Sequence, residues 1–513
     1  MESLVSFTVM IVLISALIKL ITYHYNRLDL YKAGNKILGP SPVLPIIGNA
    51  YIFFGSTEKF MKRLMILDNY KFSPMRFWLG PKLCIVLFDP EQIKIVLRSQ
   101  KTIEKDDLYR VFHPFLGTGL ITAPENKWKV HRKLIMPTFN PKIIESFIGT
   151  MNKQSKILVK VLESEINGNE FLVFPYVSRC TLDIICETAM GVSVNVQTNR
   201  DSSYVKAIDR LTVIFSSRML RVWLHFDMIY KFTKLARDQN ECIKYLHKHT
   251  NDIIEQKLKQ QSEKINEKDN VALSGFKKKV FLDFLIELSK EGTKLTNEEL
   301  REEVDTMVVA GNDTTATVNT FTIYMLANFP EVQNKCYEEL VEIFGDKITE
   351  ETEIKIEDLN RMEYLERVIK ETMRLFPIAP LLNRRVNGDL DIGGGYTLPK
   401  GSTVIVGVLK LHRSADYWED PLSFNPDRFL PEEIAKRHPY VYIPFSGGFR
   451  NCIGLKYAMM SMKVLLATLL RNYVLVKDKL TNIEDIEIKA EIFIKTTTPI
   501  TVKIKRRREH IST

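Results

Sequence analysis

The longest hydrophobic run in the chain is LVSFTVMIVLISALIKLITY, from Leu4 to Tyr23, apolar except for Lys19 and a few hydroxyls. It is long enough to cross a bilayer as a helix. A cleaved signal peptide is the rival reading, but Glu2 stands where a basic segment is expected and no small-residue cleavage site follows. Lys19, Arg27, Lys32 and Lys36 lie on its C-terminal side, which orients the rest of the chain toward the cytosol. No second run of comparable length follows, so the pattern is that of one anchor, not of a multi-pass transporter. LGPSPVLPIIGN (Leu38 to Asn49) then reads as a stiff, proline-rich hinge.

MRFWLGPKLCIVLF (Met75 to Phe88), two apolar runs around Gly80 and Pro81, resembles a hairpin turning at those two residues. Asp89 and Pro90 suit the N-cap and first position of a helix. Helical periodicity dominates from about residue 140 to 380. The polar stretch QQSEKINEKDNVALSG (Gln260 to Gly275) interrupts it and predicts a surface loop. Strand patterns return in YTLPKGSTVIVGVLKLH, where a Pro399-Lys400-Gly401 turn separates two extended runs, and in AEIFIKTTTPITVKIK. The chain therefore reads as mainly α with small β-sheets. Its organisation is an anchor over 1–23, a basic and proline-rich hinge over 24–49, and one large domain over 50–513.

Composition narrows the function classes. Of 513 residues, 45% are apolar and 26% charged, enough to bury a large core. The net charge is +10, yet lysine and arginine are interspersed with acids except in KIKRRR (Lys503 to Arg508). That is not the basic, aromatic-laced face of a nucleic-acid binder. It fits a slightly basic surface, or attraction to anionic lipid or an acidic partner. The six cysteines (Cys84, Cys180, Cys186, Cys242, Cys336, Cys452) form no CxxC pair, which suits a reducing compartment and leaves zinc without paired ligands.

One of those cysteines sits in PFSGGFRNCIG (Pro444 to Gly454), directly before the apolar helix pattern LKYAMMSMKVLLATLLRNY. At a helix mouth, the dipole and free amides favour a thiolate. Gly447, Gly448 and Gly454 clear space for backbone to approach something bulky, and Arg450 is available to an anionic group. A buried structural cysteine needs none of this, and a nucleophilic one needs a base that the stretch lacks. A metal–thiolate site remains, with haem, its iron and its two propionates as the best-suited partner.

PFSGGFRNCIG resembles the haem-binding loop of the cytochromes P-450, with Phe445, Gly448, Arg450, Cys452 and Gly454 in register. The resemblance makes Cys452 the axial ligand of haem iron. KETMRLFP places Glu371 and Arg374 on one helix face. Alone this is an ordinary surface pair, but it resembles the family's Glu-x-x-Arg helix, which pairs with a later arginine, here Arg428 of FNPDRF, in a supporting triad. LTNEELREEVDTM opens with a capping box, Thr296 and Glu299, and runs into VVAGNDTTATVNTFTIYMLANF. Gly311, Asp313, Thr314 and Thr315 are poor choices for the middle of a buried helix. AGNDTT resembles the family's oxygen-binding segment, which implies Ala310 against the haem, Thr314 as hydrogen-bond partner of bound oxygen and Asp313 in proton relay. ENKWKVHRKL resembles the family's Trp-x-x-x-Arg helix, so Trp128 and Arg132 are expected at a haem propionate. Arg384 of RRVNGD is expected there too, with Arg385 competing for that register.

The resemblance covers nearly the whole chain. LDIICETAMG, FLDFLIEL, LTNEELREEVDT and HRSADYWEDPLSFNPDRFLPE are similar to family 4 of the cytochromes P-450, particularly its insect members. That family implies a monooxygenase inserting one atom of O2 into a fatty acid, hydrocarbon, terpenoid or xenobiotic. Electrons would come from NADPH through NADPH-cytochrome P-450 reductase, with cytochrome b5 as a second donor. It also implies the endoplasmic reticulum membrane and its lipid, the catalytic domain in the cytosol, and no nucleic acid. Val111 to Leu120, Phe215 and Val308 to Ala310 are the expected apolar lining. Two departures stand out. Ala310 replaces a glutamate that in many family 4 members bonds covalently to haem, so the expected cofactor is non-covalent haem b. Phe449 and Gly447 replace a common proline and alanine in the cysteine loop. Two other readings are a haem-thiolate isomerase or dehydratase of oxidised lipids, which Thr314 and Asp313 oppose, and a non-catalytic haem- or lipid-binding protein, which the intact set of site residues opposes.

Overall fold

The computed structural model describes residues 2–53, 55, 61–63, 72–199, 202–225, 227–267, 280–290, 295–345, 348 and 352–507. Helix α1 (Glu2–Tyr25) is 24 residues long, about 36 Å at 1.5 Å per residue. Phe7, Leu13, Leu17, Ile18 and Ile21 along it are exposed, as suits a helix whose partner is lipid.

The segment expected to be a hinge is docked onto the body. A short helix, α2 (Leu28–Asn35), and the turn after it place Leu30 and Ile37 against Trp78 and Leu83. Prolines cannot donate, so the carbonyls of this stretch need outside donors. Fully buried Asn49 supplies them: its Nδ2 donates to Pro40 O and Pro42 O, and its Oδ1 accepts from Trp78 N at 3.0 Å.

The hairpin forms as expected. β1 (Met75–Leu79) and β2 (Lys82–Leu87) pair antiparallel, closing with Leu79 opposite Lys82. Asp89 caps α3 (Pro90–Leu97) by accepting from Gln92 N. The sheet is completed from far along the chain by β3 (Leu381–Arg385) and β4 (Thr403–Gly407), in the order β1-β2-β4-β3, with β2 and β4 parallel. The two extended runs around Pro399–Gly401 do not share a sheet. Thr397–Leu398 pairs with Leu390–Asp391, β4 with β2 and β3, and Val408–His412 is helical. The turn redirects the chain toward a non-local partner, which local alternation does not encode.

The remaining body is helical. It includes α4 (Glu125–Ile135), α5 (Ile148–Leu162), α6 (Val173–Ile185), α7 (Asn297–Asn328), α8 (Glu363–Leu375) and α9 (Leu455–Asn472). The helix Lys234–Glu267 continues past Gln260, where the polar stretch predicts a loop. Its glutamine, glutamate and lysine residues are good helix formers, so a polar composition does not by itself break a helix. Residues 268–279 of that stretch lie outside the described residues.

α7 is the axis of the fold and packs against α6, α8 and α9. Its capping box is formed, with Thr296 Oγ1 accepting from Glu299 N and Glu299 accepting from Thr296 N. From Glu302 to Asn328 every residue is buried except Val309, Ala310, Gly311, Asp313 and Thr314. A helix buried on all sides that opens over less than two turns borders an internal space there.

Candidate functional site

The cysteine loop runs between the end of α3 and the start of α9. Cys452 N donates to Phe445 O at 2.9 Å, and Phe445 packs on the main core. Gly448 has φ +66°, and a Cβ there would stand 1.8 Å from Leu97 O. Only glycine fits, because the chain must pass the end of α3 in a left-handed conformation. Gly454 then caps α9. Cys452 leaves room beside it, yet surrounding protein encloses its sulfur. Burial therefore pushes its thiol up, while a Gly454 N–H and the charge of Arg132 pull it down. The helix mouth alone does not select the thiolate; a coordinated metal ion would, since it deprotonates the thiol it binds.

Cations converge beside it. Arg450 is 9% exposed, with its guanidinium carbon 4.8 Å from the centre of the Trp128 ring. Its Nη2 donates to Ala123 O at 2.6 Å, but Nε and Nη1 are buried with no partner among the described residues. Burial and then the charge of Arg384 lower its pKa to about 10. Strand alternation decides between the two arginines of β3: Arg384 is buried, while Arg385 points outward, 3.9 Å from Asp107. Lys105, joined to Arg384 by a backbone bridge, lies 4.4 Å over the Tyr109 ring. Burial, then Arg384 and Arg450, hold its pKa well below the usual lysine range.

Three mutually repelling cations and two orphaned guanidinium N–H groups fit a dianionic ligand edge, as two haem propionates provide. Sequence reading missed Lys105 and Tyr109 because EKDDLYR looks like a solvated polar run. Arg132 lies nearer the cysteine: its Nη1 and Nη2 donate to Asn451 O at 3.1 Å and Asn451 Oδ1 at 2.8 Å.

Across the space, α7 remains α-helical through its polar segment. Thr314 Oγ1 donates to Ala310 O at 2.6 Å, and Thr315 and Thr317 bond the carbonyls of Gly311 and Asp313 in the same way. With its proton so used, the Thr314 oxygen is an acceptor until it releases that carbonyl. Burial raises the Asp313 carboxyl above its ordinary range, Lys495 opposes this, and Asp209 and Glu491 add to it. Phe112 and Phe215 meet edge-on at 5.2 Å, both buried.

The supporting triad is assembled. Arg374 Nε and Nη2 donate to Glu371 at 2.7 and 2.8 Å, and Arg428 Nε lies 3.4 Å from the same carboxylate. Arg374 Nη1 also donates to His412 O at 2.9 Å, and His412 Nε2 accepts from Ile443 N at 2.9 Å. Burial lowers the His412 pKa to about 3, so this acceptor stays neutral. The triad is thereby coupled to the residue preceding Pro444 and the cysteine loop. A lone histidine in HRSADYW carries no sequence signal for that role.

A sequence model of the cytochrome P450 family matches residues 38–504. The chain is 39% identical to mouse cytochrome P450 4V2 over 474 residues, covering 91% of this chain and 89% of the relative. It is 38% identical to cytochrome P450 4c3 of Drosophila melanogaster over 505 residues, covering 96% and 93%. Cytochrome P450 4c21 of Blattella germanica is 40% identical over 456 residues, covering 88% and 89%.

Proposed function

Since the chain belongs to the cytochrome P450 family and is a haem-thiolate monooxygenase, we propose that it oxidises an apolar small molecule, a fatty acid, hydrocarbon, terpenoid or xenobiotic, at a membrane. Haem bound through Cys452 supplies the reductive activation of dioxygen and the transfer of one oxygen atom. The protein's own tasks are to seat that group, deliver protons and keep water away.

Arg450, Arg384, Lys105 and Trp128 would seat the propionates, and Arg132 would steady the cysteine loop through Asn451. The observation that carries this reading is the buried Nε and Nη1 of Arg450, which find no partner among the described residues. Ala310 offers no carboxylate for an ester, which supports non-covalent haem b. Asp313, favoured in its protonated form, would hold a proton beside Thr314, whose hydroxyl would pass or position it. Val309 and Ala310 present apolar atoms to the same space.

α1 supports anchoring in the endoplasmic reticulum, with residues 24–49 as the connection and the domain over 50–513 in the cytosol. The net charge of +10 supports docking to an acidic NADPH-cytochrome P450 reductase, with cytochrome b5 as a second donor. Such docking weakens as salt rises.

The test is reconstitution of the full chain with reductase and NADPH in vesicles under 18O2, with dodecanoate and then terpenoids as substrates. One labelled oxygen atom per product, at a rate falling with ionic strength, is expected. Product without label, or turnover without reductase, would overturn the reading.

A further inference from the structure

On the turns that precede its open window, α7 carries five acids, and three of them, Glu299, Glu302 and Glu303, meet α4 and its approach. Each is engaged by α4 or by the segment Gly117–Leu120 that leads toward it. Lys127 Nζ lies 3.1 Å from Glu302 Oε2 and 3.3 Å from Glu299 Oε1, and donates to Thr118 Oγ1 at 2.7 Å. Thr118 Oγ1 donates to the same Glu302 oxygen at 3.1 Å, closing a ring of three contacts. One residue on, fully buried Glu303 meets His131 Nδ1 at 2.7 Å and accepts from Leu120 N at 3.1 Å. The backbone is pressed against these carboxylates: Gly117 has φ +52°, and a Cβ there would lie 1.8 Å from Glu302 Oε1.

Exposed ion pairs fix little. This one differs because the Glu302 and Lys127 side chains are only 9% and 22% exposed and share a hydroxyl. The clasp adds a side-chain tie between α4 and α7 to a segment whose own backbone bonds, such as Gly119 N to Leu116 O and Ala123 N to Gly119 O, are local, and it lies about 12 Å along α7 from Ala310. The same stretch of chain carries Phe112, which meets Phe215 of the helix Ser203–Leu220. Gly119 lies directly against α7, where a Cβ would stand 2.3 Å from Thr306 Oγ1, about one turn before Ala310.

We propose that Lys127 and Glu302, bridged by Thr118, are positioning residues that hold Gly117–Leu120 as one wall of the substrate space and so set which carbon of an apolar chain is oxidised. This rests on the monooxygenase reading with an apolar substrate.

The experiment uses full-length, haem-loaded protein and Lys127→Met, Lys127→Arg and Glu302→Gln variants. Two quantities are read: amide exchange over residues 117–122, and the ratio of hydroxylation positions on dodecanoate. Loss of a charged hydrogen bond corresponds to roughly tenfold or more in local opening. Lys127→Met is expected to exchange at least about tenfold faster over 117–122 and to shift the position ratio several-fold, with total kcat little changed. Lys127→Arg restores both. Unchanged exchange overturns the clasp, and faster exchange with an unchanged ratio overturns its role in regiochemistry. If the unaltered protein does not oxidise dodecanoate, that choice of substrate fails on its own and exchange still decides the clasp. Should Lys127→Met not load haem, Glu302→Gln, which keeps the side chain's volume, carries the same two readouts.

Discussion

Arg374 closes a two-bonded fork on Glu371, and both side chains are fully buried. The fork's remaining N–H groups reach the carbonyls of His412, Pro421 and Ser423, so one guanidinium ties α8 to the chain that leads toward Cys452. Burial raises the Glu371 carboxyl above its ordinary range, with Arg374 the strongest of the opposing influences. Removing one partner leaves an uncompensated buried charge, which costs about 3–5 kcal/mol. Glu371→Ala and Arg374→Ala are each expected to lose stable haem-loaded protein, read as holoprotein yield and urea midpoint. Because the two residues act as one unit, the double variant should be no worse than either single one.

Adjacent glycines of the cysteine loop should behave differently. At Gly448 an added methyl meets Leu97 O in a left-handed backbone that alone costs roughly 1–2 kcal/mol for an L residue. At Gly447 the nearest atom is Tyr440 Cε1 at 2.9 Å, the edge of a side chain that can shift. Gly448→Ala should therefore abolish haem loading while Gly447→Ala retains it, measured by haem-to-protein ratio after purification.

A buried carboxyl near the clasp gives a pH signature. Burial raises the Asp305 pKa to about 7, against the hydrogen bond from Thr250, while its Oδ2 lies 3.7 Å from His247 Nε2. The folded state thus holds a proton that the unfolded chain releases from about pH 4 upward. Stability is full below that pH and declines as pH rises toward 7, by at most about 4 kcal/mol. Asp305→Asn should flatten this slope in urea midpoints taken from pH 5 to 8. An unchanged slope would place the titration elsewhere.

Thr314→Ala removes the hydroxyl that bonds Ala310 O while leaving the helix intact. Proton transfer by a positioned group contributes on the order of 10²–10⁴-fold. Product formation should fall by about 10²-fold, with reducing equivalents diverted to peroxide and the Cys452 ligation spectrum unchanged. Asp313→Asn should fall in the same direction.

Where a motif and its contacts lie close in the chain, the sequence announced them. The Thr296–Glu299 capping box, the Gly80–Pro81 hairpin and the Glu371–Arg374 spacing all follow local geometry. Features joined by tertiary packing were silent. Lys105 and Tyr109 reach the cation cluster only because the chain at Lys105 bridges to Arg384. His131 reads as one more polar residue of a surface helix until Glu303, from a distant helix, is found against it. Strand partners were silent for the same reason: the runs around Pro399–Gly401 mark extended backbone but not what each run pairs with. The Gln260 stretch misled because helix formers and loop formers share polarity.

The central claim is that Cys452 binds haem iron as a thiolate. The most direct measurement is the absorption spectrum of the reduced, carbon-monoxide-bound protein, beside Cys452→Ala. A Soret band shifted strongly to the red of histidine-ligated haem, and lost in the variant, is the predicted result. An unshifted band in folded, haem-loaded protein, or a shifted band that survives Cys452→Ala, would contradict it.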